Sequence, residues 1–83
     1  MKVWVVQAEH PFIPGIPLSI FASETGANLR ANVYANNILR DMGCAPIADD
    51  ASASEREKVI RAMLDEYEFS GSDVWIMELE VQP

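Results

Sequence analysis

Apolar residues follow two different periods along the chain, and the change of period divides it into five elements. Residues 2–9, Lys-Val-Trp-Val-Val-Gln-Ala-Glu, are rich in β-branched and aromatic types, which favours a strand with Trp4 and Val6 on one face. Residues 10–17 contain three prolines and one glycine, which interrupt hydrogen-bonded ladders and predict a stiff connection. Residues 18–22 indicate a second strand, so the pair predicts a long-looped hairpin.

The next segment carries helix signals at both ends. Ser23 is a preferred N-cap residue, Glu24 places a carboxylate at the positive helix end, and Gly43 is a preferred residue just past a helix end. We therefore predict a helix over residues 24–42. At about 100° per residue, its core-facing side gathers Ala27, Ala31, Tyr34, Ala35, Ile38, Leu39 and Met42.

A loop of small and turn-forming residues, 43–53, leads to a second amphipathic segment. Ser54 and Glu57 fit a capping box that starts a helix. Ser52 and Glu55 offer the same pattern earlier. The helix gathers apolar residues on one side, at Val59, Ile60, Met63, Leu64 and Tyr67.

The last element alternates in polarity from Asp73 to Val81, as a strand does. The order ββααβ predicts one domain over residues 1–83 with an α+β fold, a three-stranded, mostly antiparallel sheet with two helices packed on one face. We expect the third strand beside the first. The face against the helices is expected to carry Trp4, Val6, Trp75, Met77 and Leu79. The outer face is expected to carry Val3, Val5, Val74 and Ile76, with Glu9, Glu78 and Glu80.

Composition limits the classes of function. The chain has 83 residues, of which 49% are hydrophobic and 23% charged, as in ordinary globular proteins. A chain of this size buries about 60–65% of its unfolded surface, which disfavours a deep active site, and we predict no cofactor. With one cysteine and one histidine, it lacks the parts of an intramolecular disulfide or a usual zinc site. Without an apparent membrane span or signal peptide, we expect no membrane partner and a cytoplasmic location.

The formal net charge of −7 is concentrated in the second half of the chain. Residues 1–48 hold three bases and three acids, whereas residues 49–83 hold three bases and ten acids. This imbalance argues against direct nucleic-acid binding, which needs clustered Lys and Arg. It favours a protein partner with a basic surface. Eight acidic residues of this half are the candidate contacts with the partner. They could also imitate the charge of DNA or serve solubility alone. These residues are Asp49, Asp50, Glu55, Glu66, Glu68, Asp73, Glu78 and Glu80.

Two further surfaces are candidates for partner binding. An uncharged strip with apolar spots is expected on the outer side of the first helix, at Leu29, Asn32, Val33 and Asn36. A neutral, solvated face is the alternative interpretation of this strip. The aliphatic residues of the outer sheet face predict a homodimer or partner surface.

No catalytic site is predicted. His10 lacks a second functional group at a fixed spacing, so we interpret it as an exposed loop or interface residue. Cys44 follows a helix C-terminus, whose dipole disfavours a thiolate nucleophile. Asp49 and Asp50 suit helix capping better than a metal site, because no sequence pattern converges several carboxylates there.

Three stretches of the sequence carry a family resemblance. They are the opening Val-Trp-Val-Val-Gln-Ala-Glu-His, the Leu-Ser-Ile-Phe-Ala-Ser-Glu-Thr-Gly-Ala that leads into the first helix, and the closing Val-Trp-Ile-Met-Glu-Leu-Glu-Val. In size, acidity and layout the chain resembles small phage and prophage proteins, among them the anti-CRISPR proteins. These share no common motif, so the resemblance assigns no functional residue.

The resemblance implies a non-enzymatic inhibitor in the cytoplasm of a host bacterium. Such an inhibitor binds a CRISPR-Cas surveillance complex and commonly blocks its basic DNA-binding surface. The alternative is a small homodimeric structural or regulatory protein without a CRISPR role.

Overall fold

The computed structural model describes residues 1–10, 18–66 and 71–82. Its elements are β1 (Lys2–Glu9), β2 (Leu18–Phe21), α1 (Glu24–Asp41), α2 (Ala53–Glu66) and β3 (Asp73–Glu80). The predicted α+β fold with the order ββααβ is confirmed. Most of the predicted stiff connection, residues 11–17, lies outside the described residues, as do Tyr67 and Glu68.

The strands form one antiparallel sheet in the order β2-β1-β3. The prediction that the third strand lies beside the first is therefore confirmed. Val6 lies at the centre of the sheet, opposite Ser19 of β2 and Ile76 of β3. β1 pairs with β3 along its whole length, whereas β2 is only four residues long.

α1 begins and ends where its sequence signals predict. Ser23 caps it, since the Ser23 hydroxyl accepts a hydrogen bond from the Gly26 amide at 3.1 Å. At the other end Gly43 has φ +73°, a left-handed conformation that glycine adopts at little cost. The predicted core-facing side is confirmed by its buried members, Ala27, Ala31, Ala35, Ile38 and Leu39.

α2 begins at Ala53, because Ser52 rather than Ser54 caps it. The Ser52 hydroxyl accepts from the Glu55 amide at 3.1 Å, and the Ser52 carbonyl accepts from the Arg56 amide at 3.0 Å. In this first turn the Arg56 side chain is buried, with 6% of its surface exposed.

Two core clusters hold the layers together. α1 packs on the sheet through a cluster in which Ala27 and Ala31 lie against Val6, and their small side chains allow a close approach. α2 packs on α1 through a second cluster, Ala35, Ile38, Leu39, Ile60 and Met63. Cys44 is half-buried against this second cluster, with its thiol 3.8 Å from the Met42 carbonyl oxygen.

The predicted faces of β3 are wrong. Directly opposed residues of antiparallel strands share a face, and Ile76 lies opposite Val6. Val74 and Ile76 therefore pack with the helix-facing cluster, and Glu78 is on the same side. Both faces of this strand carry apolar residues, so its alternation alone did not distinguish them. The register with β1 determines which face of β3 packs against the helices.

No helix of the described residues covers the other side of the sheet, and we call it the open sheet face. It carries Val3, Val5 and Gln7 of β1, Leu18 and Ile20 of β2, and Trp75, Met77 and Leu79 of β3. Its exposed members are 41–62% accessible, at Leu18, Ile20, Met77 and Leu79. Val5 is buried on this face between its cross-strand neighbours Ile20 and Met77. The face is thus more apolar than the sequence predicts.

Candidate functional site

A groove lies between α2 and β3, because α1 occupies the middle of the sheet and α2 packs on α1. The groove is open to solvent and has a volume of about 1350 Å³. Its floor is apolar, with side chains from both the sheet and α2, namely Trp4, Ile60, Leu64, Val74 and Ile76. A floor of this kind, half-covered by the protein itself, offers apolar area to a partner.

The rim of the groove is acidic. The residues that line it include six acids, Glu9, Glu24, Glu57, Asp65, Asp73 and Glu78, and two arginines, Arg56 and Arg61. Glu9 and Asp73 lie at one end of the sheet and belong by register to its other side, and the Arg56 side chain is buried. Six negative and two positive groups leave a formal charge of −4. Four of these acids, Glu24, Glu57, Asp65 and Glu78, lie on the helix side of the sheet, beside the apolar floor.

Only part of this acidic charge is neutralised. Glu57 pairs with Arg61 at 2.8 Å and Glu78 pairs with Lys2 at 3.1 Å, but all four side chains are more than half exposed. Exposed pairs of this kind are weak and exchange readily with water. Within the described residues, Glu24 and Asp65 form no ion pair. The rim therefore retains hydrated carboxylates that a cationic partner can engage.

The outer side of α2 carries charged residues four positions apart, at Glu57, Arg61 and Asp65. Arg61 pairs with Glu57 at this separation. Asp65 borders the groove and forms no ion pair among the described residues.

The predicted acidic contacts fall into separate places. Asp73 and Glu78 line the groove. Glu80 pairs with the Met1 ammonium at 2.9 Å. Four others are exposed on the connection before α2, on its first turn and at its end, and do not line the groove: Asp49, Asp50, Glu55 and Glu66. Sequence reasoning missed Glu9, Glu24, Glu57 and Asp65, because the groove combines residues from four elements, β1, α1, α2 and β3.

The predicted uncharged strip on α1 is only partly present. Leu29 and Val33 are 43% and 44% exposed, as expected. Asn32 is fully buried and Asn36 is half-buried, so the prediction that both belong to an outer strip is wrong. The Asn36 side chain accepts from the Ile47 amide at 2.8 Å and donates to the Ile47 carbonyl at 3.1 Å.

A polar seam joins α1 to α2 and to the connection between these two helices. It consists of Asn28, Asn32, Asn36 and Arg56. The Asn32 amide group donates to the carbonyls of Asp49 and Ala51 at 2.8 and 2.9 Å. Its oxygen accepts from Arg56 at 2.9 Å, and the Asn28 side-chain oxygen accepts from the same guanidinium at 2.6 Å. Burial lowers the pKa of the Arg56 guanidinium from its ordinary value, yet an arginine stays charged at neutral pH.

His10 is buried, which corrects the expectation of an exposed position. Its Nε2 lies 2.7 Å from Asp41 and its Nδ1 lies 2.5 Å from the Ser72 hydroxyl. Because a carboxylate only accepts, Nε2 carries a hydrogen. Ser72 borders the groove but is only 3% exposed, whereas the Asp41 side chain is 46% exposed. The contacts join the ends of β1 and α1 to the residue that precedes β3.

The described parts of the chain contain neither a candidate metal site nor a candidate membrane span. No three His, Cys, Asp or Glu side chains there lie close enough together to hold a metal ion. No helix there combines the length and apolar character that crossing a membrane requires. Comparisons with protein-family models, curated proteins and solved structures found no match.

Proposed function

We propose that this chain is a non-enzymatic protein-binding inhibitor whose groove docks on a Lys- and Arg-lined surface of its partner. The observation that carries the proposal is the group of four acids, Glu24, Glu57, Asp65 and Glu78, beside the apolar floor of the groove. Opposite charge speeds encounter and selects the partner, while the desolvated centre of an interface supplies most of the affinity. The groove between α2 and β3 combines both.

The partner class that we propose is a bacterial CRISPR-Cas surveillance complex, following the resemblance of the chain to anti-CRISPR proteins. Such a complex holds nucleic acid in a positively charged channel. An acidic protein bound in that channel excludes DNA by occupying the sites of its phosphates. This mode of action needs no catalytic residue and no cofactor.

The experiment is inhibition of target-DNA binding by a panel of purified surveillance complexes. We expect the wild-type protein to prevent DNA binding by at least one complex. Inhibition should weaken as salt rises towards 0.15 M, where exposed charges are screened over about 8 Å. If every complex binds its DNA normally at saturating protein, the CRISPR target class is wrong.

Two matched double variants locate the contact. The groove pair is Asp65→Lys with Glu78→Lys, and the distal pair is Glu55→Lys with Glu66→Lys. Each pair raises the formal net charge from −7 to −3, because each reversal adds two charges. We expect the groove pair to lose at least tenfold in affinity and the distal pair to lose much less. Equal losses of affinity would show that the overall charge of the protein, and not the position of the acids in the groove, determines binding.

A second candidate function is a homodimer formed through the open sheet face. The specific observation is that, among the strand residues described on this face, charged side chains occur only at one end, where Glu9 lies opposite Asp73. A second copy related by a two-fold axis would bury the uncharged remainder against itself. This contact leaves the groove free for another partner.

Light scattering over a range of concentrations tests the dimer. We expect a dimer mass that returns to the monomer mass in Ile20→Glu, since Ile20 is 62% exposed on this face. Val33→Arg, on the outer side of α1, is the control that should leave the mass unchanged. A wild-type monomer at high concentration would remove the second candidate.

A further inference from the structure

The groove is bordered by a strand edge that no strand of the described residues covers. In the sheet order β2-β1-β3, β3 pairs only with β1. β3 is eight residues long, twice the length of the other edge strand. An open edge of this length can receive another strand through main-chain hydrogen bonds.

The hydrogen-bond pattern identifies the groups that point outward from β3. The Val81 amide donates to the Met1 carbonyl at 2.7 Å, so these two residues form a hydrogen-bonded pair. Alternation along an antiparallel ladder then turns the odd-numbered residues of β3 towards β1 and the even-numbered residues outward. The Val74 amide agrees with this assignment, because it donates at 2.8 Å to the side chain of Asp73.

The remaining outward amides are those of Ile76, Glu78 and Glu80. Their side chains lie on the helix-facing side of the sheet, and two of them line the groove. A strand added to this edge would direct alternate side chains into the groove, below the carboxylates of Glu57 and Asp65. Its other side chains would extend the apolar open sheet face.

We propose that β3 receives an extended segment of the partner in which basic and apolar residues alternate, with the basic side chains in the groove. This inference rests on the proposed function, because it specifies how the groove holds a cationic partner. A second copy of β3 is a poor occupant of the edge. In antiparallel pairing the outward-turned residues of the two strands oppose one another, so a second copy would add its own Glu78 and Glu80 on the groove side, where Glu57, Asp65 and Glu78 already lie.

The test uses a fluorescent nine-residue peptide of alternating lysine and valine, with binding followed by anisotropy. We expect it to bind at least tenfold more tightly than a peptide of the same composition with its lysines in one block. Two further peptides carry N-methyl groups on all lysine amides or on all valine amides. Only one edge of the peptide can face β3, so one methylated peptide should lose at least tenfold and the other should bind normally.

The identity of the weakened peptide gives the strand direction. In antiparallel pairing the lysine amides bond to β3, whereas in parallel pairing the valine amides do so. Equal affinities of the two methylated peptides and the parent would overturn strand addition. If the block peptide also binds equally and salt weakens all of them, the proposed cationic partner survives. If no basic peptide binds, the groove is not a cation-binding site and the proposed function fails with it.

A matched pair of protein variants provides the second measurement. Glu78→Ala and Glu78→Pro both remove the carboxylate, but only the proline also removes the outward amide, and edge strands tolerate proline. We expect Glu78→Pro to bind the parent peptide at least fivefold more weakly than Glu78→Ala. Equal binding by two folded variants would contradict strand addition. If the proline variant fails to fold, the methylated peptides on the wild-type protein decide the question.

Discussion

Polar side chains are buried and hydrogen-bonded on one side of α2 and exposed to water on the other. Towards α1, the Arg56 guanidinium and the fully buried Asn32 satisfy each other and the carbonyls of the connection. Towards β3, Glu57 and Asp65 border an open groove and remain in water. Helix α2 therefore has one side closed by hydrogen bonds and one side left open to solvent.

The difference separates stability from binding. A buried polar group costs free energy unless it is hydrogen-bonded, so the seam tolerates few substitutions. A hydrated carboxylate costs almost nothing in the folded state and keeps its charge for a partner. We therefore expect seam substitutions to change the free energy of unfolding and groove substitutions to change binding.

The largest expected effect is that of Asn32→Ala. It removes two donated bonds and leaves Arg56 with fewer acceptors in a buried place. We expect a loss of about 3–4 kcal/mol in the free energy of unfolding, measured with urea. The control is Asn37→Ala, whose oxygen accepts only an exposed bond from Arg40. Similar losses for the two variants would show that the seam is not a special source of stability.

Arg56→Met tests the cation of the seam. The methionine keeps much of the apolar stem but leaves the side-chain oxygens of Asn28 and Asn32 without their donor. We expect a loss of about 2–3 kcal/mol in urea unfolding. Arg61→Met removes an exposed arginine from the same helix and should cost about 0.5 kcal/mol or less. Equal costs would contradict the distinction between the two sides of α2.

Two adjacent substitutions test which face of β3 borders the groove. Ile76→Glu places a carboxylate against the helix-facing cluster and should cost about 2 kcal/mol in thermal or urea unfolding. Met77→Glu lies on the open sheet face, where the side chain is 41% exposed, and should cost less than about 1 kcal/mol in the monomer. The reverse order of costs would restore the face assignment that the sequence pattern suggested.

The smallest effect on stability is expected for Asp65→Asn. Asp65 is exposed and forms no ion pair in the described chain, so the free energy of unfolding should change by less than about 0.5 kcal/mol. Binding to the lysine-valine peptide should nevertheless weaken. Glu66→Gln, one residue further along and outside the groove, should leave peptide affinity unchanged. If both variants lose the same affinity for the peptide, the peptide does not bind in the groove.

Local patterns determined the elements and most of their ends. Ser23 caps α1 and Gly43 follows it because short-range hydrogen bonds and backbone preferences act within a few residues. The four-residue repeat of alanine in α1 also identified its buried side. These features depend only on neighbours in the chain, so the sequence contains them directly.

A weaker signal for the seam was present in the sequence. Asparagine follows alanine at every fourth position of α1, so Asn28, Asn32 and Asn36 border the buried side of the helix. Arg56 precedes Ile60 by four residues and therefore shares its side of α2. Polarity favoured exposure for these residues, and hydrogen bonds among them and to the backbone of the connection between the helices made burial possible.

Tertiary structure alone decided the faces of β3, the His10 contacts and the groove. His10 meets Ser72 across 62 positions and Asp41 across 31, distances over which no periodic pattern extends. The register that pairs Val6 with Ile76 selected one of two apolar faces of β3 for the helices. The groove exists because α2 packs on α1 and leaves the edge of the sheet uncovered. Each of these outcomes depends on which surfaces bury one another from water, and that is a property of the packed layers.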